Sequence, residues 1–399
     1  MGGPHACTPA RLYARTPEPP SYRGMQRLSW PSVTAWRLAR QHLVRPAPRQ
    51  RWLDVVSGIG GLHAQLMSAA ELALAARVDA LDPDHVARAL WKDRSLVKTW
   101  MMRGTLHLVA ARDLPRLVAT LSTLKHFRKP HWLKYFKVTE PELDAILDAT
   151  RAVLSDVGIT REALADAIAT RTRKPRFRAS LSSGWGTLLK PAAFRGDLCF
   201  GPNDGQKVTF VKPAAWIGSW RALESEQALV ETVRRYLATY GPAGPDEFAR
   251  WLGIDPATAK RLFRALGDEI VPVAIDGFQA IALGATVAET EAAEPPRGAR
   301  LLPFFDSYTI AVARQSRFLF PDKYRTRVYR SQGWIAPIVL LDGKIVAVWD
   351  QERKGSRVHL TVEPFGKAPP GLESAVEAEA ARLTPFWKAP VTIQLGKRR

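Results

Sequence analysis

Residues 63–65 read His-Ala-Gln, two hydrogen-bonding side chains set two positions apart. In an extended or looping stretch such positions project to one side, so His63 and Gln65 can share one water while Ala64 turns toward the protein. A neutral imidazole, with a reference pKa near ~6.5, can accept a proton close to neutrality. A carboxamide can accept a hydrogen bond through its carbonyl and fix the direction from which water attacks. The same two side chains also suit capping of a helix that starts near Ser68, so spacing alone leaves both roles open. Metal chemistry has weaker support. His5, His42, His63, His85, His107, His126, His131 and His359 fall in no His-Glu-x-x-His or tight His-x-His arrangement. Cys7 and Cys199 are the only cysteines, too few for a disulfide framework or a thiolate zinc site, and they place the chain in a reducing cytoplasm. No metal and no cofactor are expected.

Charge points to the partner. Lysine plus arginine outnumber aspartate plus glutamate 58 to 38, a net charge of +20, which suits a polyanion. The excess is clustered. Residues 125–137 hold Lys125, Arg128, Lys129, Lys134 and Lys137 interleaved with Phe127, Trp132, Tyr135 and Phe136, and residues 171–178 hold Arg171, Arg173, Lys174, Arg176 and Arg178. Neither stretch contains an acid, so each should repel itself unless something anionic lies across it. Lys125, Lys129, Arg173 and Arg176 are therefore the expected contacts to a nucleic acid, the first polyanion to consider. A further set, Arg314, Arg317, Arg325, Arg327 and Arg330 with Tyr324, Tyr329 and Trp334, reads as a strand-turn region. It suits phosphate clamping or, alternatively, a solvated strand face. Arg314, Arg317, Arg325 and Arg327 are taken as DNA contacts. Trp100, Met101 and Met102 read as core rather than a base-stacking platform, and Arg103 beside them is the better contact. Asp306, after Pro303-Phe304-Phe305, reads either as orienting an active-site group or as a buried acid paired with an arginine. No apolar run approaches the roughly 20 residues that span a bilayer.

Three stretches that must position these residues share one grammar: helices with cap signals, then two short strands across a tight turn. In the third, a helix around 225–240 ends at Gly241-Pro242. A second starts at Pro245 and stops at Gly253, and Asp255-Pro256 caps a third that runs to Leu266. Ile270–Ile275 and Phe278–Leu283 then flank Asp276-Gly277, a hairpin turn. In the middle stretch Thr160 caps a helix with Leu164 and Ile168 on one face, and Lys207–Val211 follows the turn Pro202-Asn203-Asp204-Gly205. In the first, helices near 32–43, 50–60 and 69–78 precede strands around Arg103-Gly104. After Pro295-Pro296 strands dominate. The predicted fold class is α+β: tandem winged-helix units, each a helix-turn-helix plus β-hairpin, and a C-terminal β-barrel-like element. The boundaries are a proline-rich tail at 1–26, which is disordered or precedes the true start, then units at 27–124, 125–221 and 222–294, and a β-rich domain at 295–399.

Ser29–Arg40, Gly60–Val78, Ser95–Leu108, Leu188–Gly201, Leu302–Asp306, Arg314–Leu319 and Pro337–Trp349, in this order over residues 27 to 396, resemble the AlkZ/YcaQ-like winged-helix DNA glycosylases. The resemblance implies a monofunctional glycosylase that encloses duplex DNA carrying alkylated bases in a concave basic channel. Relatives of this kind serve general repair or antibiotic self-resistance. The family's catalytic signature is Gln, an aliphatic residue, then Gln or Asp. Its match here is His63-Ala64-Gln65, with Gln65 fitting and His63 replacing the commoner glutamine. The chemistry suits N7-alkylguanine, N3-alkyladenine, bulky antibiotic adducts and interstrand crosslinks. Such a base already carries positive charge and leaves neutral, so the protein need only place water against C1′ of an oxocarbenium-like sugar. No lysine or N-terminal proline is placed as a Schiff-base nucleophile, so lyase activity is not expected. Nearby phosphates should favour imidazolium and raise the pKa of His63. The expected protein is a monomer, cytoplasmic and nucleoid-associated. The alternative is a non-catalytic winged-helix DNA-binding protein or transcriptional regulator.

Overall fold

A computed structural model describes residues 25–396, apart from Pro83, Gly184, Trp185 and the side chains of Arg314, Gln315 and Ser316. Residues 1–24 of the expected tail lie outside the described residues, and Gln26 already belongs to a strand, Gln26–Leu28.

Local signals set the third unit. Helix Ser225–Tyr240 stops at Gly241, and Pro245–Leu252 stops at Gly253 with φ 91°, the left-handed conformation that glycine adopts without penalty. Asp255 caps Pro256–Ala265 by accepting from the Thr258 amide at 2.9 Å. Strands Ile270–Ile275 and Phe278–Leu283 pair antiparallel around Asp276 and Gly277, both at positive φ, as a tight hairpin requires. Gln26–Leu28 adds a parallel strand to this hairpin. Helix Trp30–Arg40 follows, and its buried Arg37 donates to the carbonyls of Gly241 at 3.1 Å and Pro242 at 2.6 Å. Trp30 and Val33 share a core with Val273 and Ile275, so the start of the described chain packs on its third unit.

The other two hairpins also gain a short third strand. Leu96–Trp100 and Leu106–Ala110 are joined by Leu62–His63, and Cys199–Asp204 and Lys207–Val211 by Ile159–Thr160. Thr160 caps helix Arg161–Thr172, whose Leu164 and Ile168 are fully buried. Trp100, Met101 and Met102 are core as expected. Trp100 lies edge-on to Phe200 at 4.9 Å, which welds the first and second hairpins into one apolar cluster.

Two expectations need correction. The C-terminal element is an open five-stranded sheet among the described residues, not barrel-like. Its order is Ala299–Leu302, Ile338–Leu341, Lys344–Lys354, Arg357–Pro364, Val391–Leu395, and its first and last strands do not pair. Helix Leu372–Trp387 is the crossover to the parallel last strand. Its Val376, Ala380 and Leu383 cover Leu301, Val339 and Leu360, so a helix, rather than closure of the sheet on itself, removes the apolar face from water. The arginine-rich segment is helical, not strand-turn: Ser307–Ala311, Ala313–Phe318, Asp322–Tyr324 and Arg325–Val328. It is an insertion between two hydrogen-bonded strands, Leu302 pairing with Ile338. Tyr308, Phe320 and Val328 pin it to the sheet, and Tyr329 makes an isolated bridge to Ile335. No helix among the described residues is long and apolar enough to cross a membrane.

Candidate active site

The chain enters the site through a turn that only glycine fits. Gly60 and Gly61 have φ 74° and 105°, and a Cβ on Gly61 would lie 2.9 Å from Val109 Cγ1 and 3.0 Å from the Leu108 carbonyl oxygen. That close approach lets Leu62 pair with Leu108 and His63 with His107. The Ala64 amide then donates to the Leu106 carbonyl at 2.7 Å. Ala64 is buried and Gln65 exposed, and both His63 and Gln65 line one cleft of about 670 Å³. The next helix, Met67–Ala75, has Leu66 at its N-cap and no side-chain cap, so neither His63 nor Gln65 is spent on capping.

His63 is a buried, neutral imidazole. Its ring stacks on Phe305 at 4.7 Å and meets His107 edge-on at 5.4 Å, and Nδ1 is buried with no hydrogen-bond partner among the described residues. Burial, and after it the Arg103 guanidinium, push its pKa down to about 3. His107, with Nδ1 2.9 Å from the Thr105 carbonyl, lies well below the ordinary histidine value for the same reasons, with His63 adding to the effect. The rise expected from phosphates belongs to the DNA complex; in the protein by itself, aromatic rings and a cation stand beside His63 and lower its pKa. Arg103, at φ 59° in the turn between the first hairpin's strands, is not spread on an exposed tip. It donates to the Trp251 carbonyl and lines the cleft. Burial lowers its pKa to about 10, which leaves it charged at neutral pH.

A buried ion pair holds this wall. Arg77 Nη1 and Nη2 donate to the two Asp306 carboxylate oxygens at 2.7 and 2.8 Å, both side chains being 0% exposed. Arg77 also donates to the Ala73 carbonyl, and Asp306 accepts from the Tyr308 amide. Asp306 is thus the buried acid paired with an arginine. The pair ties the helix that follows Gln65 to the loop carrying Phe305, a non-glycine residue held at φ 56°. Residues kept in that region are commonly stabilised by their surroundings at functional sites. From the third unit, Tyr240 donates its hydroxyl to the Ile59 carbonyl at 2.7 Å.

The remaining sequence candidates separate. Arg325 lines the cleft, donates to the Ala313 carbonyl and lies 4.9 Å from the Tyr329 ring. Arg327 is engaged internally, with Glu363 at 3.0 Å and the Pro364 carbonyl at 3.1 Å. Arg317 is exposed over Phe278 and Phe318, and the side chain of Arg314 lies outside those described. Lys125 and Lys129 are exposed and border a second groove of about 710 Å³, whose far side carries Asp255 and Thr258. Arg173 is exposed at a helix end. Arg176 instead bonds Glu142 at 2.6 Å and the Lys137 carbonyl at 2.8 Å. The two acid-free stretches therefore find part of their counter-charge within the fold: Glu142 for Lys174 and Arg176, Asp144 and Glu140 for Arg128, Asp166 for Arg178. Self-repulsion does not by itself demand an external anion.

That difference can be measured. Glutamine replacement of Lys125, Lys129 and Arg173, which have no ion-pair partner among the described residues, is expected to flatten the logarithmic salt dependence of duplex binding by roughly 0.9 for each phosphate left unneutralised. Arg176→Gln is expected to change the slope less, because Glu142 already balances its charge. A slope that does not move in the triple variant would place these residues off the DNA.

Sequence reading missed Glu247, Arg250, Trp251 and Phe305 as cleft residues. Glu247 supplies the only carboxylate among the described lining residues, and its Oε2 accepts from the Gly244 amide at 3.0 Å. These residues come from a helix and a loop far along the chain, and no spacing rule links them to His63. For Phe305 the available signals were its place beside Asp306 and within the family-like stretch Leu302–Asp306.

Residues 56–386 match the family described as DNA glycosylase AlkZ-like. An interstrand DNA cross-link repair glycosylase of Streptomyces sahachiroi is 36% identical over 363 residues, spanning 89% of this chain and 95% of that protein. A solved structure of the Streptomyces sahachiroi DNA glycosylase AlkZ overlays with a TM-score of 0.85 at 35% identity, covering 92% of this chain and 100% of that one. The mixed α+β fold built around the His63–Gln65 cleft is shared along nearly the whole chain, which belongs to the AlkZ-like family of DNA glycosylases.

Proposed function

We propose that this enzyme is a monofunctional, monomeric glycosylase that hydrolyses the N-glycosidic bond of cationic alkylated purines in duplex DNA, N7-alkylguanine and N3-alkyladenine among them, and that it unhooks interstrand crosslinks. The observation that carries the reading is the joint placement of His63 and Gln65 on one cleft that also holds Arg103, Arg250, Arg325 and Arg330. Guanidinium groups suit the phosphates on either side of the target nucleotide. The three helix-and-hairpin units act as winged helices that grip the duplex. In this reading the units stay at 27–124, 125–221, 222–294 and 295–399; Gln26–Leu28 and the helix after it pack on the third of them.

The chemistry follows from the charge of the base. A cationic purine leaves as a neutral molecule, so the bond can break with no acid in the cleft. The sugar cation must then meet a water held on the correct side. Gln65 is exposed to the cleft and accepts a hydrogen bond from that water through its carboxamide oxygen. His63, neutral near pH 7 with a pKa of about 3, accepts a second hydrogen bond. Full proton transfer to it at pH 7 would cost on the order of 5 kcal/mol, so His63 positions water and the proton leaves to solvent after C1′–O bond formation.

The test is release of free base from N7-methylated duplex by purified protein, with abasic strands left uncut. Tight duplex binding without release of any base would overturn the reading. The role of His63 has its own readout. Its lowered pKa keeps it neutral throughout pH 5 to 8, so single-turnover rates are expected to show no acid limb in that window. His63→Gln is expected to keep both activity and the flat profile. An acid limb near pH 6 to 7 that His63→Gln abolishes would instead make His63 a general base whose pKa rises when DNA binds.

A further inference from the structure

The cleft is larger than water placement requires, and its outer part is aromatic. From His63 a chain of rings leads outward: Phe305 at 4.7 Å, then Trp334 at 5.1 Å from Phe305, with Phe304 edge-on to Trp334 at 5.7 Å. Trp334 is 41% exposed although tryptophan is usually well covered, because each exposed ring forgoes a large apolar burial. Its backbone is not loose. The Arg330 amide donates to the Trp334 carbonyl at 2.8 Å, the Trp334 amide donates to the Ser331 carbonyl at 3.3 Å, and Tyr329 bridges to Ile335. Within this tight loop Gln332 has φ 56° and Gly333 φ 78°, a conformation that a non-glycine residue adopts at a cost. The fold thus holds an exposed indole in a fixed place at the mouth of the catalytic cleft, with Arg330 beside it.

Resting on the base-excision reading above, we propose that Trp334, backed by Phe305 and Phe304, is a specificity-determining shelf that stacks the planar polycyclic part of a bulky N7-purine adduct. Three observations choose this occupant. The cleft, about 670 Å³, lies in the range of drug-sized ligands and leaves room beyond a bare purine. The bond to be cut must lie beside His63 and Gln65, and Trp334 stands one ring farther out than Phe305, so an extended substituent covers Trp334 more fully than a methylated purine does. An aromatic plane flanked by guanidinium groups matches a flat apolar ring system attached to a phosphate backbone. Trp334 is a specificity residue that touches the substituent, while Phe305 also supports the His63 ring.

Single-turnover excision by the full-length enzyme, measured on N7-methylguanine duplex and on duplex carrying a polycyclic N7-guanine adduct, separates the roles. Stacking on an aromatic side chain is typically lost with alanine at a cost of about fivefold to a hundredfold. Trp334→Ala is expected to lower kcat/KM on the polycyclic adduct at least about tenfold, to leave N7-methylguanine release within about twofold, and to keep the melting temperature of the wild type. Trp334→Phe is expected to recover part of the loss. Equal loss on both substrates would overturn the proposal and make Trp334 a wedge for the duplex, and no loss on either would overturn it as well. Failure of the wild type to release either base would overturn the excision reading itself and remove the shelf's role with it.

Discussion

Replacement of Gln65 by alanine is expected to lower single-turnover base release by about two orders of magnitude or more, some 3 kcal/mol of transition-state stabilisation, while duplex affinity stays within about twofold. Gln65 is exposed on the cleft wall, has no hydrogen bond to the described residues, and does not cap the helix that starts at Met67. Its removal therefore leaves the fold intact. The loss falls on one moment of the reaction, when water must meet a short-lived sugar cation from one side. A group that acts only then changes the rate and not the ground-state binding. Gln65→Glu offers a complementary check, since it keeps an acceptor oxygen at the same place and is expected to retain more activity than alanine. Parallel loss of binding and excision in Gln65→Ala would make the residue a DNA contact rather than a water-positioning group.

Loss of the buried ion pair behind the site is expected to have the largest effect on stability. Asp306→Ala leaves the Arg77 guanidinium fully buried without its carboxylate, and breaking such a pair from one side typically costs about 3 to 5 kcal/mol. The midpoint of denaturant unfolding should fall accordingly. Excision should fall further than stability alone explains, because the neighbouring Phe305, at φ 56° against His63, loses the anchor that fixes its loop. The double replacement Arg77→Met with Asp306→Leu removes both charges and is expected to recover most of the stability. It is not expected to restore the Phe305 loop, since methionine and leucine cannot reproduce the hydrogen bonds to Ala73 and Tyr308. A cost below about 1 kcal/mol in Asp306→Ala would show that the pair contributes little net stabilisation.

Features of this protein that depend on near neighbours were legible in the order of its amino acids. Asp255 and Thr160 cap their helices, and Asp276-Gly277 turns a hairpin, because a cap needs only a side-chain oxygen within three residues and a hairpin only a pair tolerant of positive φ. The pairing of His63 with Gln65 across a buried Ala64 was legible for the same reason, since it follows from a two-residue period. Whatever joins distant segments came only with folding. The packed chain brings Phe305 and Arg103 to His63, and with them the burial and the guanidinium that keep the imidazole neutral in the protein by itself, while Trp251 and Trp334 line the same cleft. Folding also gives Arg176 to Glu142 and Arg327 to Glu363, because a charge run in one dimension does not reveal the acids that will lie beside it. The C-terminal sheet stays open for a related reason: strand patterning records which residues face inward but not whether a helix or another strand will cover them.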